Sequence, residues 1–207
     1  MTGKVLADIS MSLDGYIAGP GDGRPDLPLG EGGERLHQWV YGLASWRESH
    51  GLAGGENNQD SELLDEVLRE VGAVVLGRRM YDNAGGWGEE PPFHVPVFVL
   101  THRPRDPIAK RGGTTFTFVT DGVAEAVRRA RSAAGDRNVS VAGGAETIQQ
   151  FLSAGLLDEI QVHLVPVLLG GGRRLFGELS DPPVELDLLR VVQSPTVTHL
   201  TYRVLPR

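Results

Sequence analysis

The stretch Val139-Ser-Val-Ala-Gly-Gly-Ala-Glu-Thr147 constrains the fold of this chain more than any other. A short apolar run breaks at two glycines, and an amphipathic segment begins at once. This reads as strand, tight turn and helix, and the first N–H groups of such a helix have no intrahelical partner. Orphan donors and the positive end of the helix dipole together attract phosphate, and glycine lets a ligand approach the backbone. A second element of the same kind, Ala73-Val-Val-Leu-Gly-Arg-Arg-Met-Tyr81, carries two arginines where a phosphate would sit.

The remaining periodicities extend this pattern. Val5, Ala7, Ile9 and Met11 alternate with Leu6, Asp8, Ser10 and Ser12, which predicts a strand with one apolar and one mixed face. Residues 19–33 and 51–59 are too rich in Gly, Pro and polar residues for anything but loop. Leu36, Trp39, Val40 and Leu43 predict a helix from Glu34 to Trp46; Asp60-Ser61 is expected to cap another, with Leu63, Leu64, Val67, Leu68 and Val71 on one face. Strands follow at Val74–Leu76, Pro96–Leu100, Thr115–Val119, Val139–Ala142 and Ile160–Val165, with helices at Gly122–Ala134 and Glu146–Ala154. Val184–Val192 and Val197–Leu205 are expected to pair as a hairpin. The order predicts an α/β fold: a mostly parallel central sheet between helical layers, closed by a C-terminal antiparallel hairpin.

Composition narrows the function. A chain of 207 residues favours a single domain, residues 1–207, with about 20–60 as a loop and helix insertion. A formal net charge of -7 argues against a nucleic-acid partner. The chain has no cysteine, which excludes disulfides and thiolate zinc and fits a reducing compartment. No apolar run approaches the ~20 residues of a membrane span, and no signal sequence opens the chain, so a cytoplasmic protein is expected.

Three strand ends could carry chemistry: Gly77 to Met80, Gly143 to Ala145, and Leu100-Thr-His-Arg-Pro104. Ligands of open α/β sheets bind beyond the carboxyl ends of the strands, and guanidinium matches phosphate bidentately. Taken singly, each motif also fits surface solvation or an ordinary turn. Asp8, beside Ser10 on a strand, must be paired or face a wet cleft. His163 shares a polar strand face with Gln161; alone, a strand histidine is more often structural. Asp14 reads as a local Asx turn, Trp39 and Trp46 as core or cleft wall, and Gly170 to Arg174 as a flexible turn or a further phosphate contact. No metal-binding cluster is expected.

Several stretches together resemble the dihydrofolate reductase-like superfamily, specifically the reductase domain of the riboflavin-pathway deaminase/reductase. They are Ser12-Leu-Asp-Gly-Tyr-Ile-Ala18, Val75-Leu-Gly-Arg-Arg-Met80, Val141-Ala-Gly-Gly-Ala-Glu-Thr147, Leu156-Leu-Asp-Glu-Ile160 and Val165-Pro-Val-Leu-Leu-Gly-Gly-Gly172. The resemblance implies that superfamily's three-layer fold and an NADPH-dependent reductase of a small heterocycle, either a riboflavin-precursor pyrimidine or a pterin. It implies that Gly77, Arg78, Arg79 and Met80 hold cofactor phosphates. Leu100, Thr101, His102 and Arg103 fall at the adenosine and its 2′-phosphate. Ala142, Gly143, Gly144, Ala145, Glu146, Thr147 and Ile148 fall on the pyrophosphate turn and its helix, while Ile9, Ser10 and Ile17 flank the nicotinamide. It also brings Asp8 and His163 together as the candidate catalytic pair, binding the substrate ring or assisting its protonation. A homodimer is expected. Two positions differ from the riboflavin enzymes: Ala142 stands where they carry an acid, and Asp8 where they tend to carry lysine. A different class of function, a non-catalytic nucleotide- or flavin-binding protein, would use the same cradle.

Overall fold

The structure, a computed structural model, describes residues 3–177 and 183–206. In chain order the elements are β1 (Val5–Ser12), β2 (Tyr16–Ala18), α1 (Gln38–Tyr41), α2 (Ala44–Ser49), α3 (Gln59–Glu70), β3 (Val71–Gly77), α4 (Arg78–Asn83) and β4 (Val97–Leu100). Then come β5 (Ile108–Ala109), β6 (Thr115–Val119), α5 (Gly122–Ala134), β7 (Asn138–Gly143), α6 (Ala145–Ser153), β8 (Glu159–Val165), β9 (Arg173–Arg174), β10 (Leu186–Gln193) and β11 (Thr198–Val204).

Among the described residues, nine strands form one sheet in the order β10-β11-β8-β1-β7-β3-β4-β6-β5. The six from β8 to β6 are parallel, while β5, β11 and β10 each run antiparallel to the neighbour they meet. The parallel centre is apolar on both faces because helices cover both. On one face Val5, Ala7, Val75, Val139 and Val141 pack under α5 and α6 through Val127, Ala130, Ile148 and Phe151. On the other, Val74, Leu76, Val97, Val99 and Phe116 meet Tyr81 of α4 and Val67 of α3. α5 ends at Gly135 with φ 66°, a left-handed stop that suits glycine.

The expected helix from Glu34 to Trp46 is broken into a 3-10 turn (Gly33–His37), α1 and α2. Leu43 is extended and bridges to Glu56. Glu56 N–H donates to Gly42 O, and Glu56 O accepts from Ala44 N–H, so this pairing takes backbone groups that a continuous helix would need. α3 begins earlier than Asp60-Ser61 suggested. Its cap is Asn58, whose Oδ1 accepts from the N–H groups of Asp60 (3.0 Å) and Ser61 (3.1 Å). Ser61 Oγ accepts in return from Asn58 N–H, and this capping box leaves the Asp60 carboxylate free to turn inward. Val71 opens β3 instead of closing α3. Arg78 and Arg79, expected in a turn, lie in the first turn of α4. The C-terminal hairpin begins at Leu186, two residues later than expected.

Candidate functional site

The ladder between β1 and β7 opens partway along. Their register runs from Val5↔Val139 to Ala7↔Val141 and stops, whereas β1 continues beside β8 to Ser12↔Val165. Beyond Ala7, β1 and β7 therefore bound a gap at their carboxyl ends. Such a gap beside a crossover is where open α/β sheets bind ligands.

One wall of the gap is the double-glycine turn. Gly143 has φ 117°, and it is joined to Gly144 by a cis peptide bond. A Cβ on Gly143 would meet Ile9 Cδ1 at 3.6 Å and Met80 Sδ at 3.9 Å, so Ile9, Met80 and the turn converge. Among the described residues, a Cβ on Gly144 would meet nothing within 4 Å, so open space faces the turn. α6 starts directly behind it with no side-chain cap among the described residues, the N–H groups of Thr147 and Ile148 being used on Gly144 O. The side chains of Ala145, Thr147 and Ile148 are buried. Ala142 lies on the opposite face, against the α4 cluster, and Ile17 of β2 joins the α6 core.

Gly77 begins α4 at the adjoining end of β3, in register with Leu100 of β4. Arg78 pairs with Asp82 (2.7 Å) and Arg79 with Asp22 (3.1 Å). Arg173 continues this chain of charges, reaching Asp22 (3.4 Å) and Glu146 (3.2 Å). Beyond β4, Thr101 is buried and its hydroxyl accepts from Arg103 N–H (3.1 Å), while His102 and Arg103 are exposed. Sequence reading missed the two-stranded sheet of β2 and β9. Between that sheet and α6 lies an open cavity of about 380 Å³, lined by Tyr16, Ala145, Glu146, Gln149 and Gly172 to Arg174.

On the face of β1 turned away from α5 and α6, the structure brings Asp8 and His163 together. His163 Nε2 donates to Asp8 Oδ1 at 2.8 Å. The contact follows from register, since Ser10 pairs with His163 and Asp8 with Gln161. Ser10, on the same face as Asp8, is buried and its hydroxyl accepts from the Trp39 indole N–H (3.1 Å). Its side chain thus points away from the Gly143 turn that Ile9 meets, as alternation along a strand requires.

Two further members carry no motif: His199, whose Nδ1 lies 2.6 Å from His163 Nδ1, and Asp60, which accepts from His199 Nε2 at 3.1 Å. Trp39 lies against both imidazoles, with centroids 4.7 Å from His163 and 5.0 Å from His199. Burial, then the neighbouring His163, holds the His199 pKa below the ordinary range. Burial lowers that of His37 too, against Glu34, and its Nδ1 has no partner among the described residues. An inward-facing histidine in an alternating strand was the only available signal for His199.

Asp14 is not a local Asx turn. The Ser12 hydroxyl donates to it (2.6 Å), as do the N–H groups of Leu169 (3.1 Å) and Gly170 (2.7 Å), fastening the loop after β1 to the glycine loop after β8. The Ser12 hydroxyl chiefly, with these amides, holds its carboxyl below the usual range. Trp46 is half-buried and stacked on His50 at 3.9 Å between centroids. Among the described residues, no group of three or more His, Asp or Glu side chains is arranged to hold a metal, and no helix is long and apolar enough to cross a membrane.

Comparison with known proteins agrees with this architecture. The chain is similar to two uncharacterised proteins of Bacillus subtilis strain 168. YwjB is 30% identical over 182 residues (87% of each chain), and YyaP 26% over 181 residues (84% of this chain, 80% of YyaP). A candidate riboflavin biosynthesis protein from Shewanella sp. PV-4 superposes with a TM-score of 0.71 at 25% identity, covering 98% of this chain and 99% of that one. Dihydrofolate reductase from Enterococcus faecalis, solved with NADP(H), shares the fold at a TM-score of 0.58 and 15% identity, covering 99% and 98%. The fold is therefore dihydrofolate reductase-like. The family described as the RibD C-terminal domain matches residues 3–200, and the chain belongs to that family.

Proposed function

We propose that this protein is a cytoplasmic NADPH-dependent reductase of a small heterocycle, either a pyrimidine of the riboflavin-precursor type or a pterin. The observation that carries the reading is the opening of the β1–β7 ladder after Ala7, with Gly143-Gly144 on its wall and Asp8 beside its base. The uncapped start of α6 and the open side of Gly144 fit a diphosphate. Gly77 and Met80 border that cradle, and Arg78 and Arg79 would hold phosphate oxygens in place of Asp82 and Asp22. Thr101, His102 and Arg103, next to Leu100, suit the adenosine end and a 2′-phosphate; Ile9 and Ile17 offer apolar contact at the nicotinamide end.

Bound NADPH would supply hydride. Asp8 orients the substrate ring through its carboxylate and, with His163, holds the proton that must arrive as hydride is accepted. The apolar edge of β10, with Leu188 57% and Val191 53% exposed, supports a homodimer. The test is NADPH titration followed by NADPH oxidation against a panel of pterins and pyrimidines. Turnover on one of them is expected, and Asp8→Asn should lower turnover with little change in NADPH affinity. Tight binding without turnover on any substrate would favour a non-catalytic binding protein, and absence of NADPH binding would overturn the reductase reading.

A further inference from the structure

Behind the Asp8–His163 pair lie two buried titratable side chains that the reaction above leaves unused, His199 on β11 and Asp60 on α3. The four form one chain: Asp8 Oδ1 to His163 Nε2 (2.8 Å), His163 Nδ1 to His199 Nδ1 (2.6 Å), and His199 Nε2 to Asp60 Oδ1 (3.1 Å). Asp60 lies in the first turn of α3, where the helix dipole favours its anion. Asp8 is the most exposed of the four. With both carboxylates ionised, each Nε2 must carry hydrogen. The two Nδ1 atoms then admit one proton: none would set two lone pairs face to face, and two would make the N–H groups collide. The two imidazoles together therefore carry a single positive charge. Burial, then the neighbouring His163, holds the His199 pKa below the ordinary range, which suits His199 as the acceptor of the shared proton. The Trp39 ring beside His163 favours a cation there. The other charged groups facing the pair are His37, whose charge would oppose that of His163, and Glu34, which acts on His37.

We propose that these side chains form a proton relay in which His199 and Asp60, as positioning residues, hold one proton between the imidazoles and so supply Asp8 from the buried side. The Nε2 proton of His163 passes to Asp8 Oδ1, leaving a neutral imidazole and a carboxylic acid. The acid then protonates the ligand and returns to carboxylate. The ligand gains one proton, the relay loses one, and a proton from solvent restores it through Asp8. The delivery step rests on the reductase reading; the proton count does not.

Nitrogen-15 NMR of the full chain without cofactor, followed across pH, tests the count. A single far-downfield proton correlated with the Nδ1 atoms of both His163 and His199 is expected. Asp60→Asn keeps an acceptor for His199 but removes the charge, and should move deprotonation of the pair about one pH unit or more lower. Two imidazoles that titrate separately with no shared proton, or an unmoved midpoint in Asp60→Asn, would overturn the relay. A shared proton in a chain that oxidises NADPH on no substrate would overturn the delivery step and the reductase reading, while supporting the count. Reductase activity without the shared proton would overturn the relay alone.

Discussion

Gly77→Ala tests the close approach of the two glycine turns. The backbone there, φ -81° and ψ 154°, is open to alanine, so no conformational strain is introduced. Losing a glycine should instead stabilise the chain by about 0.4–1 kcal/mol through the unfolded state. The opposing term is steric and rests on one atom. The new Cβ would come closer than 3.0 Å to Thr147 Oγ1, while its next neighbours, Gly143 O at 3.6 Å and Thr147 Cβ at 3.7 Å, are ordinary contacts. Thr147 is buried in the first turn of α6 and has little room to yield. Overpacking of this kind costs about 1–3 kcal/mol. The net loss should therefore be about 1–2 kcal/mol, or roughly 2–8 °C in melting temperature for a domain of this size. In a Thr147→Ala background the obstructing oxygen is gone, and Gly77→Ala should be neutral or stabilising. Urea unfolding of the wild type, both single variants and the double variant gives the coupling energy, expected at about 1–3 kcal/mol. An equal cost in both backgrounds would refute the contact between the turns.

Asn58→Ala should cost about 1 kcal/mol in the same unfolding assay, since the reciprocal cap of α3 is lost; an unchanged midpoint would remove Asn58 from that role. Stability should decline as pH falls below about 6.5, because the unfolded chain protonates His37 and His199 there while the folded chain, with both pKa values lowered, resists. The loss is complete only below the folded-state values, and denaturant midpoints that stay flat from neutral pH downward would contradict it. Leu188→Lys on the exposed edge strand should convert the proposed homodimer to monomer by analytical ultracentrifugation without unfolding the chain; a wild-type chain that sediments as a monomer would overturn the homodimer, and an unchanged mass at or above the dimer would place the interface elsewhere.

The parallel sheet, α5, α6 and the double-glycine turn were legible because their signals are local. Val139 to Thr147 spells a strand end, a turn and a helix start within nine residues, and Gly135 and Gly155 stop their helices at left-handed positions. Residues 34–46 misled for the same reason: their apolar spacing is helical, but Glu56 captures the backbone of Gly42 and Ala44 from another loop.

The site divides along the same line. Which residue types stand at the strand ends follows from spacing alone, and so does the polar face of β1, because a strand alternates whatever it packs against. The partners of that face do not. His199 and Asp60 are 139 residues apart and meet only because β11 pairs with β8 while α3 begins over that end of the sheet. Arg173 likewise meets Asp22 and Glu146 only after β9 has paired with β2. Periodicity reports which face a side chain occupies; strand order, register and the opening between β1 and β7 determine what lies opposite it. Those are set by long-range packing that no short window contains.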